Sequence, residues 1–335
     1  MYGLCHVRFV LLLGVSGPMN VYRGAAQAQA ERGAVLTIGT FDGVHLGHQA
    51  VLRELTGWAL NSGAPAGVIT FAQHPRKILD GRAPDLLTSV EHRLVLFQRA
   101  GVAFTWVLDF TPELSKWSAE DFARQVLVGK LGCRGLTLGF DSRFGHDRIG
   151  TDSPELPQMA KRLGFEIRCL QPVLTPDGQP ISSTLIRDAI WDGRLHDAEA
   201  LLGRRVSVYG TVVAGEARGR RLGFRTANLD LGREVRPPFG VYVTIAEVEG
   251  QRHGSVTNVG YRPTVSDALP QGVKPDLLLE THLFDFDADL YGKKIEVSFV
   301  EKLRDERRFP DVQALAEQIK KDSAKARGIL QALGL

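Results

Sequence analysis

At 335 residues the chain exceeds the size at which a single hydrophobic core usually keeps growing, so two domains are expected. Its 44% hydrophobic and 24% charged residues and formal net charge of +3 are those of an ordinary globular protein, with acidic and basic residues interspersed and no basic block of the kind nucleic-acid binders carry. Three cysteines, Cys5, Cys133 and Cys169, stand far apart without a CxxC pair, which argues against a zinc or redox centre, and no run approaches the roughly 18 apolar residues that span a bilayer.

In chain order, RFVLLLGV at 8–15 followed by AQAQA at 26–30 has the outline of a short signal peptide. The positive n-region is nearly absent and Met19 offers a second start, so residues 1–18 are read as an upstream extension and the protein as cytoplasmic. From Ala34, AVLTIG reads as a strand, then a turn-rich loop, then a helix through HLGHQAVLRELTGWAL with Leu46, Ala50, Leu52 and Leu55 at helical spacing. The alternation continues with a strand GVITF, a helix EHRLVLFQRAG, a strand TWVLDF, a helix capped by Ser118, a strand GLTLGF and a helix opened by Ser153 and Pro154. Strands alternating with helices predict a parallel sheet covered on both faces, an α/β fold, over 19–202. From 203 to 335 the texture becomes β-rich with glycine-containing turns, which predicts an antiparallel barrel or sandwich, closed by a helix placing Val312, Leu315, Ala316, Ile319, Ala326 and Leu330 on one face.

Two constellations carry chemistry. In GTFDGVHLGH, His45 and His48 stand three apart at the mouth of a helix whose first N–H groups lack partners, a place prepared for an anion. Gly39 and Gly43 are expected to give the loop unusual backbone angles, and Gly47 to leave room for a phosphate between the imidazoles. Such donors would stabilise the charge that builds when a nucleophilic phosphate attacks the α-phosphorus of ATP. Ser182 and Ser183 of ISSTLIR can cap a helix and donate to phosphate, Arg187 can clamp the β- and γ-phosphates, and GFDSRFG adds Asp141 and Arg143 from a loop after a strand. Taken singly, each has an ordinary alternative: surface histidines, a routine cap, a glycine-bounded loop.

The second constellation is GEARGRRLGFRTANLDL. Gly215, Gly219 and Gly223 permit a flap whose backbone approaches phosphates, and an extended TAN would point the oxygens of Thr226 and Asn228 the same way, toward a Mg²⁺ on nucleotide phosphates. Glu280 interrupts an apolar strand, as a general base would; an edge-strand glutamate facing water is the alternative.

GTFDGVHLGH, ITFAQHPRKIL, GFDSRFGHDRIG and ISSTLIR, in that order, resemble the prokaryotic bifunctional riboflavin kinase/FMN adenylyltransferase (FAD synthetase) family. GRRLGFRTAN, PFGVYV, TNVGYRPTV, ETHLFDFDADLYG and KLRDERRF resemble successive motifs of its kinase module, so the resemblance runs from about Met19 to the C-terminus. It implies a nucleotidyltransferase-type Rossmann-like domain that adenylylates FMN with ATP, giving FAD and pyrophosphate, and a six-stranded antiparallel barrel with a terminal helix that phosphorylates riboflavin to FMN. It implies catalytic roles for His45, His48, Arg187 and Glu280, the last as base to the ribityl 5′-hydroxyl. It further implies ATP contacts from Phe41, Asp42 and Thr184 in the first domain and Arg220 in the second, flavin contacts from His74, Pro75 and Arg304, and Mg²⁺ at Thr226 and Asn228.

The partners implied are the small molecules riboflavin, FMN and ATP, with neither nucleic acid nor membrane, and a homo-oligomer is left open. Gln73, Ser142 and Arg225 depart from the family pattern, where a proline, an aromatic and a proline are usual. Gln73 and Ser142 keep a second reading alive, a riboflavin kinase whose first domain is inactive or acts on another substrate, while Arg225 is expected to weaken nucleotide or metal binding in the kinase. A third, an RNA-holding barrel with basic loops at 218–221 and 304–308, leaves HLGH and SSTLIR unexplained.

Overall fold

The computed structural model describes residues 18–24, 31–214, 226–261, 277–307 and 309–335. The expectation about residues 1–18 therefore falls almost wholly outside the described residues. Two compact units emerge, one through Pro84 and again over Val90–Ile181, the other comprising Asp85–Ser89 and Ser182–Leu335.

In the first unit the elements are β1 (Asn20–Arg23), β2 (Val35–Ile38), α1 (Leu46–Ser62), β3 (Ala66–Phe71), α2 (Arg76–Leu79), α3 (Val90–Arg99), β4 (Phe104–Leu108), α4 (Ala119–Phe122), β5 (Gly135–Leu138), β6 (Arg143–Phe144), β7 (Ile149–Gly150), α5 (Glu155–Leu163) and β8 (Glu166–Cys169). Six strands form a sheet in the order β1-β4-β3-β2-β5-β8, and every pairing in it is parallel. All four residues of β2 are buried, the mark of a central parallel strand covered on both faces. Side chains alternate accordingly. Leu36, Ile69, Phe104, Trp106 and Leu136 face one core with Phe122, Leu127 and Met159. Val35, Val68 and Val107 face the other with Leu52, Leu55, Trp58 and Phe97.

Three local differences from the sequence expectation have physical reasons. The buried stripe of α1 is Val51, Leu52, Leu55, Trp58 and Ala59, so Leu46 and Ala50 sit at its rim. β1 was not foreseen, because NVYR is short and lacks an apolar pattern; it joins as an edge strand through backbone pairing to β4, with the Trp106 indole N–H donating to the Gly24 carbonyl at 2.8 Å. The helix capped by Ser118 keeps α-helical geometry for only one turn, its capping box closed by Asp121, and then widens into a π-helical run over Ala123–Lys130. Gly129 permits that widening, since a Cβ there would lie 2.9 Å from the Arg124 carbonyl oxygen.

The second unit opens with α6 (Ser183–Trp191) and α7 (Leu195–Leu202), ended by Gly203 in the left-handed region, φ 67°. Strands β9 (Ser207–Val213), β10 (Ala227–Asp230), β11 (Gly240–Val248), β12 (Gln251–Tyr261), β13 (Leu277–Leu283) and β14 (Lys294–Arg304) follow, then α8 (Val312–Ala332). They close into an antiparallel barrel in the order β10-β13-β12-β11-β14-β9, so the β-rich half is a barrel with a C-terminal helix. Part of its interior is polar: the hydroxyls of Ser255, Thr244, Thr257 and Thr281 form a fully buried chain with spacings of 2.7, 2.7 and 2.9 Å, each finding a partner. Asp322, Ala326 and Leu330 are the buried residues of α8, and Ala326 and Leu330 pack with Val243, Ile245 and Phe284. Val312, expected on the packed face, is exposed, because that face begins only further along the helix. Among the described residues no helix is long and apolar enough to cross a membrane.

Gly67 lies between Leu36 and Phe104 in the central three strands, and a Cβ there would come within 2.2 Å of the Phe104 ring and 2.7 Å of the Leu36 side chain. Overpacking a core this tight costs about 1–3 kcal/mol. Gly67→Ala is expected to lower the unfolding free energy of the first unit by that amount, seen as a lower urea midpoint with an unchanged slope of the transition.

Candidate functional site

The loop between β2 and α1 is built on backbone that few side chains tolerate. Phe41, Gly43 and Val44 all lie at positive φ, 51°, 84° and 41°. Gly39 does not, contrary to expectation; its bareness serves the Phe41 ring, which a Cβ would approach to 3.1 Å. The turn is closed by the Val44 N–H on the Phe41 carbonyl at 3.1 Å, and Phe41, Asp42, Val44 and His45 are all buried.

His45 is the N-cap of α1, its Nδ1 accepting the His48 N–H at 3.4 Å. An Nδ1 that accepts leaves Nε2 as the proton-bearing nitrogen of the neutral ring. The two imidazoles stack with centroids 3.7 Å apart and planes 20° from parallel, and Phe41 meets His48 edge-on at 5.2 Å. Rings in van der Waals contact leave no room for a phosphate between them, which corrects that expectation. Gly47 clears space for the His45 ring, 3.0 Å from where its Cβ would be. An anion would instead meet the outer edges of the stacked pair and the N–H groups of the helix mouth.

GFDSRFGHDRIG folds into the β6–β7 hairpin. Asp141 is exposed, and Arg143 donates to Asp152 at 2.7 Å, holding that carboxyl below its usual range. The hairpin is tied to α4 by features the sequence reading missed: Asp147 accepts the Ala119 N–H at 2.9 Å, and a Cβ at Gly145 would fall 2.2 Å from that nitrogen. His74 Nδ1 accepts the Arg76 N–H at 3.2 Å and Pro75 caps α2, so the flavin contacts expected there sit in a local turn. Gln73, the departure before them, is exposed.

Ser182–Thr184 and Arg187 belong to the second unit. Ser182 is the N-cap of α6, its hydroxyl accepting the Leu185 N–H at 3.4 Å, with Ser183 half-buried and Thr184 exposed. Arg187, expected as a phosphate clamp, is buried and its Nε donates to the Asp85 carbonyl at 2.7 Å, so part of its fork holds the backbone of the 85–89 segment.

In the barrel, Gly215, Gly219, Arg220, Gly223 and Arg225 lie outside the described residues. Asn228 stands opposite Glu280, and Glu280 opposite Asn258, a row across three strands on one face. Thr226 donates its hydroxyl to Glu280 Oε1 at 2.5 Å. β13 lies between β10 and β12, so Glu280 is not on a sheet edge, and the edge-strand alternative falls away. Among the described residues no three His, Cys, Asp or Glu side chains gather as metal ligands. The neutral oxygens of Thr226 and Asn228 beside one carboxylate nonetheless suit a hard cation that keeps most of its ligands as water and phosphate.

A cavity of about 340 Å³ opens between the end of β14 and α8, walled by Phe309, Pro310 and Ala314 and bordered by Arg307 and Gln318. Arg304 stands behind it: Nε and Nη2 each hold Asp322 at 2.9 Å, and the guanidinium lies 5.6 Å from the Phe309 ring centroid. Asn258 and Phe309 were inside quoted motifs, yet nothing in spacing alone singled them out.

A family model described as FAD synthetase matches residues 27–185, and one described as riboflavin kinase matches residues 202–330. The chain is 38% identical to the bifunctional riboflavin kinase/FMN adenylyltransferase of Haemophilus influenzae, over 92% of this chain and 98% of that protein. It is 37% identical to the protein of that name from Escherichia coli K12, over 92% and 97%, and 35% identical to that of Bacillus subtilis, over 88% and 91%. A crystal structure titled macrolide-efflux protein from Streptococcus pneumoniae superposes with a TM-score of 0.73 at 30% identity, covering 92% of this chain and 99% of that one.

The Arg304–Asp322 pair is nearly buried, with side-chain exposures of 19% and 8%. Removing one partner of such a pair costs about 3–5 kcal/mol, whereas replacing both with apolar residues is often neutral. Arg304→Met should destabilise the barrel by that amount in chemical denaturation, and Arg304→Met with Asp322→Leu should recover most of it.

Proposed function

Because this chain belongs to the bifunctional riboflavin kinase/FMN adenylyltransferase family, we propose that it phosphorylates riboflavin on the Glu280 face of its barrel and adenylylates the resulting FMN at the loop carrying His45 and His48. Both reactions use ATP, and a cytoplasmic location supplies it. One observation supports the assignment of sites: each unit holds its own polar cluster suited to phosphate chemistry, stacked imidazoles at a helix mouth in one and a Thr–Glu pair beside an Asn in the other.

In the first unit a phosphate oxygen of FMN attacks the α-phosphorus of ATP; the new P–O bond forms as the bond to the β-phosphate bridge breaks, and pyrophosphate leaves. His45, with Nε2 carrying its proton, and His48 donate hydrogen bonds to the oxygens that gain charge, aided by the positive end of the α1 dipole. Phe41 and Asp42 form the wall of the turn, and Asp141 and Arg143 contribute from the β6–β7 hairpin. In the second unit Glu280 accepts the proton of the ribityl 5′-hydroxyl as its oxygen attacks the γ-phosphorus, and ADP leaves. The Thr226 hydroxyl orients that carboxylate. Thr226 and Asn228 would hold Mg²⁺, which when bound neutralises phosphate charge. The cavity beside Phe309 receives the flavin ring, where Phe309 offers a stacking face and Gln318 a polar contact.

His45→Ala and His48→Ala should each lower FAD formation from FMN on the order of a hundredfold or more while leaving FMN formation from riboflavin within about twofold. Glu280→Ala and Asn228→Ala should do the reverse, with losses on the order of 10²–10⁴ in the kinase reaction. Assaying both products by chromatography for all four variants checks this; equal loss of both reactions in every variant would refute separate sites.

A further inference from the structure

We propose that Arg93 is a positioning residue for adenylyl transfer, fastening the left-handed loop that presents His45 and His48. The inference rests on that loop being the adenylylation site.

Arg93 lies on α3, where Leu94, Leu96 and Phe97 are also buried, and is itself only 4% exposed. A guanidinium so placed carries a desolvation cost that an apolar side chain would avoid. Its bonds show where that cost is offset. Nη1 donates to the Thr40 carbonyl and, at 2.9 Å, to the Thr70 hydroxyl, while Nη2 donates to the Phe71 carbonyl at 3.2 Å. The Thr70 hydroxyl also reaches the Thr40 carbonyl, at 3.4 Å. One planar fork thereby joins the carboxyl end of β3 to the last carbonyl before Phe41, the first residue of the strained turn.

Non-glycine residues at positive φ are strained and persist only where their surroundings over-determine them. Phe41 and Val44 both carry that strain, and His45 follows directly. With Thr40 released, the turn can relax, and the imidazole edges move relative to the α-phosphorus. These attachments lie at the carboxyl ends of β2 and β3, the side of an open parallel sheet where ligands bind. Lysine cannot reproduce the arrangement, because a single ammonium cannot span the Thr40 and Phe71 carbonyls in a fixed plane.

The test uses the full chain with Arg93→Ala, Arg93→Lys and, as reference, His48→Ala. Each is assayed for kcat and KM of FAD formation, for FMN formation, and for thermal unfolding by circular dichroism. In Arg93→Ala, kcat for FAD formation should fall on the order of a hundredfold with KM for ATP changed by less than about threefold, and FMN formation should stay within about twofold. Methylguanidinium should restore part of the lost kcat in Arg93→Ala and none in His48→Ala. If Arg93→Ala does not unfold cooperatively, Arg93→Lys decides, with an expected loss of about tenfold in a cooperatively melting protein. A folded Arg93 variant with parental kcat, or equal loss of both activities, overturns the inference. Should His48→Ala also make FAD at the parental rate, the site reading itself fails; should His48→Ala be inactive and Arg93→Ala normal, only the role of Arg93 does.

Discussion

Between a fully buried strand and the first turn of α1 the backbone passes through three residues of positive φ, two of which have side chains. The chemistry proposed for the first unit depends on that turn. It is what places a histidine, not the usual serine or aspartate, at the helix N-cap, and it folds that histidine's ring back onto the next one. Strain of this kind relaxes unless something holds it. Here the buried Phe41 and Val44 side chains anchor it from within, and the Arg93 fork pins the carbonyl that precedes it.

The barrel solves a similar problem by different means. Closure removes sheet edges, so a carboxylate on a central strand is set by its neighbours in the row and by the alternation of the strand. Thr281 points into the buried hydroxyl chain while its neighbour Glu280 lies on the opposite face with Asn228 and Asn258. The period of two separates a buried structural network from the polar row proposed to carry the kinase reaction by a single residue. At the end of β14, Arg304 ties the barrel to α8 through Asp322, and the residues that follow it wall the cavity.

Much of this was legible in the residues. Apolar strands alternating with helices announced the parallel sheet, and the loss of intervening helices announced the barrel. Glu280 declared itself as a charge in an apolar run. Arg93 carried the same signal, a charge sharing a helical face with Leu96 and Phe97, and went unread because the helix looked complete without it. Other features are invisible to pattern. The spacing of His45 and His48 says that they are near one another, but only the capping geometry makes them stack instead of straddling a phosphate. The wide turns after Phe122 are a hydrogen-bond register, and β1 is held by backbone pairing, so neither leaves a trace in hydrophobic period.

The central claim is that the edges of this imidazole pair meet the triphosphate. Nitrogen-15 spectra of protein labelled in its histidine rings, titrated with a non-hydrolysable α,β-methylene analogue of ATP, test it most directly. The account predicts that the ring resonances of both His45 and His48 move with nucleotide occupancy and stay still when riboflavin alone is added. Nucleotide bound in the first unit with both sets of resonances unmoved would contradict it.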